Sequence, residues 1–423
     1  MEMKKKKMEE DFKKRKNEEF DDEDEEYKKS KLDFSENDEE DALLWLQNLG
    51  AKEILNEKLF NQEWINESKK IFSSAKPFPF IFVEDMFDEE FLEKLLEELI
   101  QEEMNIRSND MYDFYQTDDL KGSKRPLINK MREVFYGEEF RKSLGEISGI
   151  ELHKYTEEVS MSAAIYDKSH KLLCHDDQLE GRRIAYVIYL VDKKWEESDG
   201  GTLDFFDTKD QVFASTKIAH SQVPKWNSVI FFEVSEKSFH QVSEVFSDHS
   251  RVSISGWFHG APVKREKRPL DLPLAISPPI ELEDGQDLLK KWINPFYLKA
   301  NKNLQKSFGE ESSLQLQKFL DEKMYNSLHE ELKKFEGWEE EGPPNKKYFF
   351  KLENTTLPLA SSFLSLIRST AFSNLLSMIT SMELNGSFCN FKKFSHKCYS
   401  LLYDDNVECK NEALDVKLIF FFF

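Results

Sequence analysis

Five short apolar runs between residues 161 and 259 constrain the fold more than any other feature of the chain. They read MSAAIYD, RIAYVIYLV, GGTLDFFD, SVIFFEV and RVSISGWF. Each is rich in Val, Ile, Tyr or Phe, which suit a pleated surface packed on at least one side. Polar and turn-forming residues separate them, and Ser198-Asp199-Gly200-Gly201 marks a tight reversal between two of them. Several short strands at such spacing predict a β-sandwich or barrel.

Helical patterns precede this block. PFPFIFVEDMF (77–87) reads as a strand. Asp88 then reads as a helix N-cap, with Phe87 and Leu92 placed as a hydrophobic staple. Phe91, Leu92, Leu95, Leu96 and Leu99 keep one helical face apolar. A second helix is expected from about Pro126 to Leu144, with Pro in its first turn. Helices followed by strands give an α+β domain.

A chain of 423 residues is long enough for two domains. Residues 1–41 carry 18 acidic against 11 basic side chains and cannot bury enough apolar surface to fold, so a disordered tail is expected. Its clusters Lys4–Lys7 and Lys13–Lys16 have the composition of a nuclear import signal, and equally of a solvated tail. The first folded domain is expected over 42–261 and a Pro-rich linker over 262–283. The second domain would cover 284–423, with helices in 284–334 and 356–380 and strand character in 397–423.

The net charge of −22 disfavours a nucleic-acid-binding surface and suits a basic protein partner, although acidity also serves plain solubility. Four Cys residues form no CxxC pair, which points to a reducing compartment. No apolar run is long enough to span a bilayer, and the final KLIFFFF is too short, so no membrane partner is expected.

Chemistry concentrates in LLCHDDQLEGRR (172–183). On an extended backbone His175 and Asp177 point to one side and Asp176 to the other, so an imidazole and a carboxylate converge. Such a pair alone is weak evidence for a metal. His240, in SFHQVSEV after the run SVIFFEV, is the best third ligand. His153, His170, His220 and His259 lack the spacing, and His249 lies in a polar loop. Arg251 opens the next strand among apolar neighbours, where a guanidinium needs an anionic partner. Two His and one carboxylate with open positions form the facial triad of non-haem Fe(II) oxygenases, whose 2-oxo acid an Arg would anchor. A zinc hydrolase also uses such ligands but has no need of Arg251. Glu180, Arg182 and Arg183 either line the entrance or stand as solvated rim charges.

These residues resemble a known family. CHDDQLEGRRIAYVIYLV, GGTLDFF, PKWNSVIFFEVS, SFHQVSEV and RVSISGWFHG are similar to Fe(II)- and 2-oxoglutarate-dependent prolyl hydroxylases that act on a ribosomal protein. The similarity extends to QTDDLK (116–121), KKWINPFYL (290–298) and GPPNKKYF (342–349). The resemblance implies a double-stranded β-helix, a cupin-like jelly roll, as the catalytic domain. It implies Fe(II) on His175, Asp177 and His240, and 2-oxoglutarate on Arg251 and on Tyr166, a residue that core packing alone would also explain. It further implies O2 as co-substrate, ascorbate as reductant, and succinate and CO2 as co-products. The expected substrate is a prolyl residue of a basic small-subunit ribosomal protein at the decoding centre, with effects on translation accuracy and termination. Termination factors are candidate partners, and nucleus and cytoplasm the expected locations.

The family carries a second, non-catalytic β-helix domain, which here is expected to be incomplete. YSLLYDDNVECKNEALDVKLIF echoes KLLCHDDQLEGRRIAYVIYLV, with Tyr403-Asp404-Asp405 in place of His175-Asp176-Asp177. No later His or Arg would complete a second site. The alternatives are a catalytically impaired scaffold, or a dioxygenase of another protein substrate.

Overall fold

The computed structural model describes Leu46 and residues 49–154, 161–179, 181–209, 214–263, 276–299, 302–353, 355–401 and 414–421. The charged tail, Glu180 and Tyr403 to Asp405 lie outside the described residues. The chain divides into two compact units, the first holding residues up to Arg268 and the second nearly all the rest.

The first unit is a curled antiparallel sheet flanked by helices. Its longer helices are α1 (Gln62–Ser74), α2 (Glu89–Leu99), α3 (Pro126–Phe135) and α4 (Glu138–Ser148). Asp88 caps α2 by accepting the Phe91 N–H at 2.9 Å, and both staple residues, Phe87 and Leu92, are buried. The single helix expected over 126–144 is two. Gly137 has an extended backbone and forms the N-cap of α4, so the chain breaks there. A Cβ on Gly137 would stand 2.9 Å from the carbonyl oxygen of Glu133, so only glycine makes this tight junction without displacement.

The strands run β1 (Phe80–Glu84), β2 (Met104–Ser108), β3 (Tyr112–Thr117), β4 (Met161–Tyr166), β5 (Lys171–His175) and β6 (Arg182–Tyr189). There follow β7 (Leu203–Lys209), β8 (Ala214–Gln222), β9 (Ser228–Glu233), β10 (His240–Val242) and β11 (Arg251–His259). Their spatial order is β1-β9-β6-β11-β4-β3-β5-β10-β7-β8, with β2 paired to β3. Two four-stranded faces stand out, β9-β6-β11-β4 and β5-β10-β7-β8. From β4 to β7 successive strands alternate between these faces, and β8 to β11 repeat the alternation, as a double-stranded β-helix requires.

The face carrying β6 and β11 is buried on both sides, which is why RIAYVIYLV is continuously apolar rather than alternating. Ile184, Tyr186 and Ile188 meet the helices, where Tyr136 and Tyr186 share a buried hydroxyl hydrogen bond of 2.7 Å. Ala185, Val187 and Tyr189 face inward, with Phe114, Tyr166, Phe205 and Phe232. The strand period of two thus assigns one strand to two separate cores.

The second unit packs α5 (Gly285–Trp292), α6 (Lys302–Glu311), α7 (Glu322–Lys333), α8 (Pro358–Ile367) and α9 (Thr370–Thr380). Its core centres on Trp292, Leu328, Ala360 and Leu366, none of which is exposed. Asp321 caps α7, Ser369 caps α9, and a Pro opens α8. A small antiparallel sheet joins β12 (Glu339–Glu341), β13 (Lys347–Leu352), β14 (Phe391–Lys393) and β15 (Tyr399–Ser400). Strand character expected over 397–423 is confined, among the described residues, to Tyr399 and Ser400; residues 414–421 form no strand despite their apolar pattern. Among the described residues no helix is long and apolar enough to cross a membrane.

Candidate metal centre

His175 ends β5 and His240 begins β10, and the ladder pairs them directly. Opposed residues of an antiparallel pair share a face, so the two imidazoles meet, with ring centroids 4.2 Å apart. The Nδ1 atom of His175 lies 2.8 Å from the Leu173 carbonyl oxygen, and that of His240 lies 2.7 Å from the Ser238 carbonyl oxygen. A carbonyl only accepts, so each Nδ1 carries the proton and each Nε2 offers its lone pair.

Both lone pairs converge on Asp177. His175 Nε2 is 3.6 Å from one carboxylate oxygen and His240 Nε2 is 3.5 Å from the other. Among the described residues these three are the group whose ligand atoms lie close enough to share a metal ion. The donor set is two neutral nitrogens and one carboxylate, with both imidazoles already oriented from outside, and it fits a divalent transition metal.

Asp177 reaches this place by a route other than the extended backbone expected. The strand stops at His175, and Asp177 is left-handed, with φ of 59°. Asp tolerates that region better than most residues. Asp176 turns away and accepts the Gln178 N–H at 3.1 Å, closing the turn. Ser238 donates its hydroxyl to the Asp176 carbonyl at 2.9 Å, and the Gln178 amide donates to the Ser235 carbonyl at 3.1 Å. The turn after one ligand strand is therefore tied to the loop before the other.

Burial sets the protonation states. His175 is pushed down to about 4, first by burial and then by His240. Burial alone would raise the Asp177 carboxyl. The close approach of His240, together with His175 and Arg182, outweighs it and holds the group well below the usual carboxylate range. At neutral pH the cluster offers a neutral His175 and an ionised Asp177, the forms that bind metal.

Arg251 faces the same interior and is 1% exposed. Its Nε donates to the Gly201 carbonyl at 2.7 Å and one terminal nitrogen to Ser253 Oγ at 3.2 Å. Its Nη2 is buried without a hydrogen-bond partner. A buried guanidinium with a spare donor and no facing carboxylate among the described residues suits an anionic ligand. Tyr166 lies directly across the β4–β11 ladder, with the guanidinium carbon 5.1 Å from its ring centroid. The Tyr166 phenol is raised by burial, against the pull of Arg251, and stays protonated.

Two neighbours escaped sequence reasoning. Tyr189 lies on the other side of the guanidinium, 5.2 Å away, its phenol also raised by burial. Its signal was the inward period Ala185, Val187, Tyr189. Trp257 shares the inward face of β11 with Arg251 at even spacing, and its indole N–H donates to Asp177 Oδ2 at 3.0 Å. Of the charges beside the turn, Arg182 is no solvated rim group, because it stacks on Trp257. Arg183 donates to the Ala261 carbonyl at 3.0 Å. The remaining strand-block histidines stand apart; His220 packs on Phe80 and Phe205.

Comparison with known proteins agrees with this geometry. The 2OG-Fe(II) oxygenase superfamily matches residues 161–259, and the family described as oxoglutarate and iron-dependent oxygenase degradation C-term matches 284–421. The prolyl 3-hydroxylase OGFOD1 of Mus musculus is 41% identical over 302 residues, covering 70% of this chain and 54% of that one. Its Xenopus laevis counterpart is 41% identical over 314 residues, covering 73% and 60%. The prolyl 3,4-dihydroxylase OGFOD1 of Ostreococcus tauri is 28% identical over 411 residues, covering 82% and 79%. The chain thus spans little more than half the length of the mouse and frog relatives. The match to the 2OG-Fe(II) oxygenase superfamily begins at β4 and ends with β11, the strands between which His175, Asp177 and His240 all fall.

Proposed function

We propose that this chain is an Fe(II)- and 2-oxoglutarate-dependent dioxygenase that hydroxylates a prolyl residue of a protein substrate. The observation that supports it best is the pairing of the His175, Asp177 and His240 cluster with a buried Arg251 that keeps a free donor. The relatives named prolyl 3-hydroxylase support the choice of proline.

Bound Fe(II) with 2-oxoglutarate supplies the oxidising chemistry, consuming dioxygen and yielding succinate and CO2. His175, Asp177 and His240 would hold the metal, leaving coordination positions open. Arg251 would take the far carboxylate of the co-substrate through its spare Nη2, with Tyr166 and Tyr189 bracketing the guanidinium. Phe205 and Phe232, both buried beside His240, exclude water from the reacting region.

The finer reading is a basic small-subunit ribosomal protein as substrate, modified at the decoding centre, with consequences for translation accuracy and termination. The net charge of −22 suits such a cationic partner. Ascorbate as reductant and a nuclear and cytoplasmic location belong to the same reading. The test is mass spectrometry of a decoding-centre peptide incubated with the chain, Fe(II) and 2-oxoglutarate. A gain of one oxygen atom on proline is expected. No gain from soluble, metal-loaded protein overturns the hydroxylase reading and leaves a scaffold, or an oxygenase of another substrate.

A further inference from the structure

Each ligand of the cluster has an outer partner, but the partners differ in kind. His175 and His240 are oriented by main-chain carbonyls two residues upstream. Asp177 has no such tether. It sits in a left-handed turn beyond the end of β5, and the terminal torsion of a carboxylate is soft. What meets it is Trp257, whose Nε1–H donates to Oδ2 at 3.0 Å. Arg182 then lies over the indole, its guanidinium carbon 3.4 Å from the ring centroid, with Nη1 3.8 Å from Asp177 Oδ1.

The bland reading of Trp257 is interior packing, since its ring does touch the inner apolar cluster. Packing alone would not aim the one polar atom of the ring at the one carboxylate of the cluster. Nor would it place a cation on the indole face within reach of the second carboxylate oxygen. The backbone supports the arrangement: β11 pairs Trp257 with Ala185, close to Arg182 at the start of β6. Both residues that touch Asp177 thus come from neighbouring rigid strands, while Asp177 itself comes from a turn.

We propose that Trp257, braced by the stacked Arg182, is a positioning residue that orients Asp177 and so sets the affinity of the site for its metal. This rests on the reading that a metal occupies the His175, Asp177 and His240 cluster. Outer partners of metal ligands are worth roughly 10- to 100-fold in metal affinity.

The experiment is titration of the metal-free full chain with Mn(II), following free Mn(II) by electron paramagnetic resonance. Trp257→Phe keeps an aromatic face for Arg182 but removes the N–H. It should weaken Mn(II) binding by about 10-fold or more, with the melting temperature of the metal-free protein unchanged. Arg182→Met keeps a side chain over the indole, removes the charge, and should weaken binding by a smaller factor. At saturating Mn(II), the affinity for 2-oxoglutarate should stay at the wild-type value in both. Wild-type Mn(II) affinity in both variants overturns the proposal. So does a loss that tracks a lowered metal-free melting temperature and extends to 2-oxoglutarate, since Trp257 is then a packing residue. If wild type and His175→Ala bind Mn(II) alike, the metal-site reading itself has failed, and the proposal with it.

Discussion

His175 and His240 stand directly opposite each other across the β5–β10 ladder, with their rings 4.2 Å apart and both Nε2 atoms turned to Asp177. Sixty-five positions separate them in the chain, and a single strand register removes that separation. This relationship governs the expected behaviour of the site.

Removing one side of the pair should remove the metal. His240→Ala deletes a ligand itself, so its effect should exceed the roughly 100-fold upper range seen for outer partners. Mn(II) or Co(II) titration of the variant checks this; affinity within tenfold of wild type would rule His240 out as a ligand.

Arg251→Lys keeps the charge but loses the fork. Its expected effect is on the co-substrate alone: about a 30-fold or greater rise in the KM for 2-oxoglutarate, equivalent to roughly 2 kcal/mol. Metal affinity should be unchanged, because Arg251 touches none of the three ligands. Steady-state kinetics against 2-oxoglutarate, paired with the metal titration, separates the two quantities.

Gly201→Ala tests how Arg251 is aimed. Gly201 has φ of 63°, and a Cβ there would stand 2.7 Å from Arg251 Cδ. The left-handed backbone alone costs an alanine about 1–2 kcal/mol, and the close approach must push Arg251 aside. The variant should melt lower than wild type and also show a raised KM for 2-oxoglutarate. A drop in stability with an unchanged KM would mean that the Gly201 carbonyl does not orient the guanidinium.

The metal-free protein should lose stability on mild acidification. His175 titrates near 4 in the folded chain and near 6.5 when unfolded. Between those values the unfolded chain binds the extra proton, so stability is complete above about 6.5 and falls as the pH drops toward 4. The shift corresponds to a loss on the order of 3 kcal/mol. Asp177, whose pKa is also depressed, acts in the same direction below its ordinary value of 3.8. Urea unfolding across this range checks the slope, which His175→Gln should flatten, because an amide takes up no proton.

Much of the first unit was legible in local pattern. The run RIAYVIYLV is apolar on both faces because its strand is covered on both, and Asp88 caps a helix because its side chain accepts an N–H three residues on. The helix break at Gly137 left only a faint local mark: Ile128, Met131 and Phe135 step by three and four, and the next apolar step, to Phe140, is five. The edge strand β8, mostly exposed and polar, carries no alternation to read.

The sequence by itself determined which chemistry is available: two imidazoles, a carboxylate and a guanidinium, placed at strand ends or in turns by hydrophobic runs of period two. That period is a local property of the backbone, so it survives without knowledge of the fold. Only the tertiary structure decided how those groups meet. It closes a left-handed turn at Asp177 and sets His240 against His175. It brings Tyr189 and Tyr166 to the two sides of Arg251, and it hands the Asp177 carboxylate to Trp257 and Arg182. Apart from Arg182, five positions from Asp177, these partners lie tens of positions apart, and register and packing select them, which no local spacing encodes.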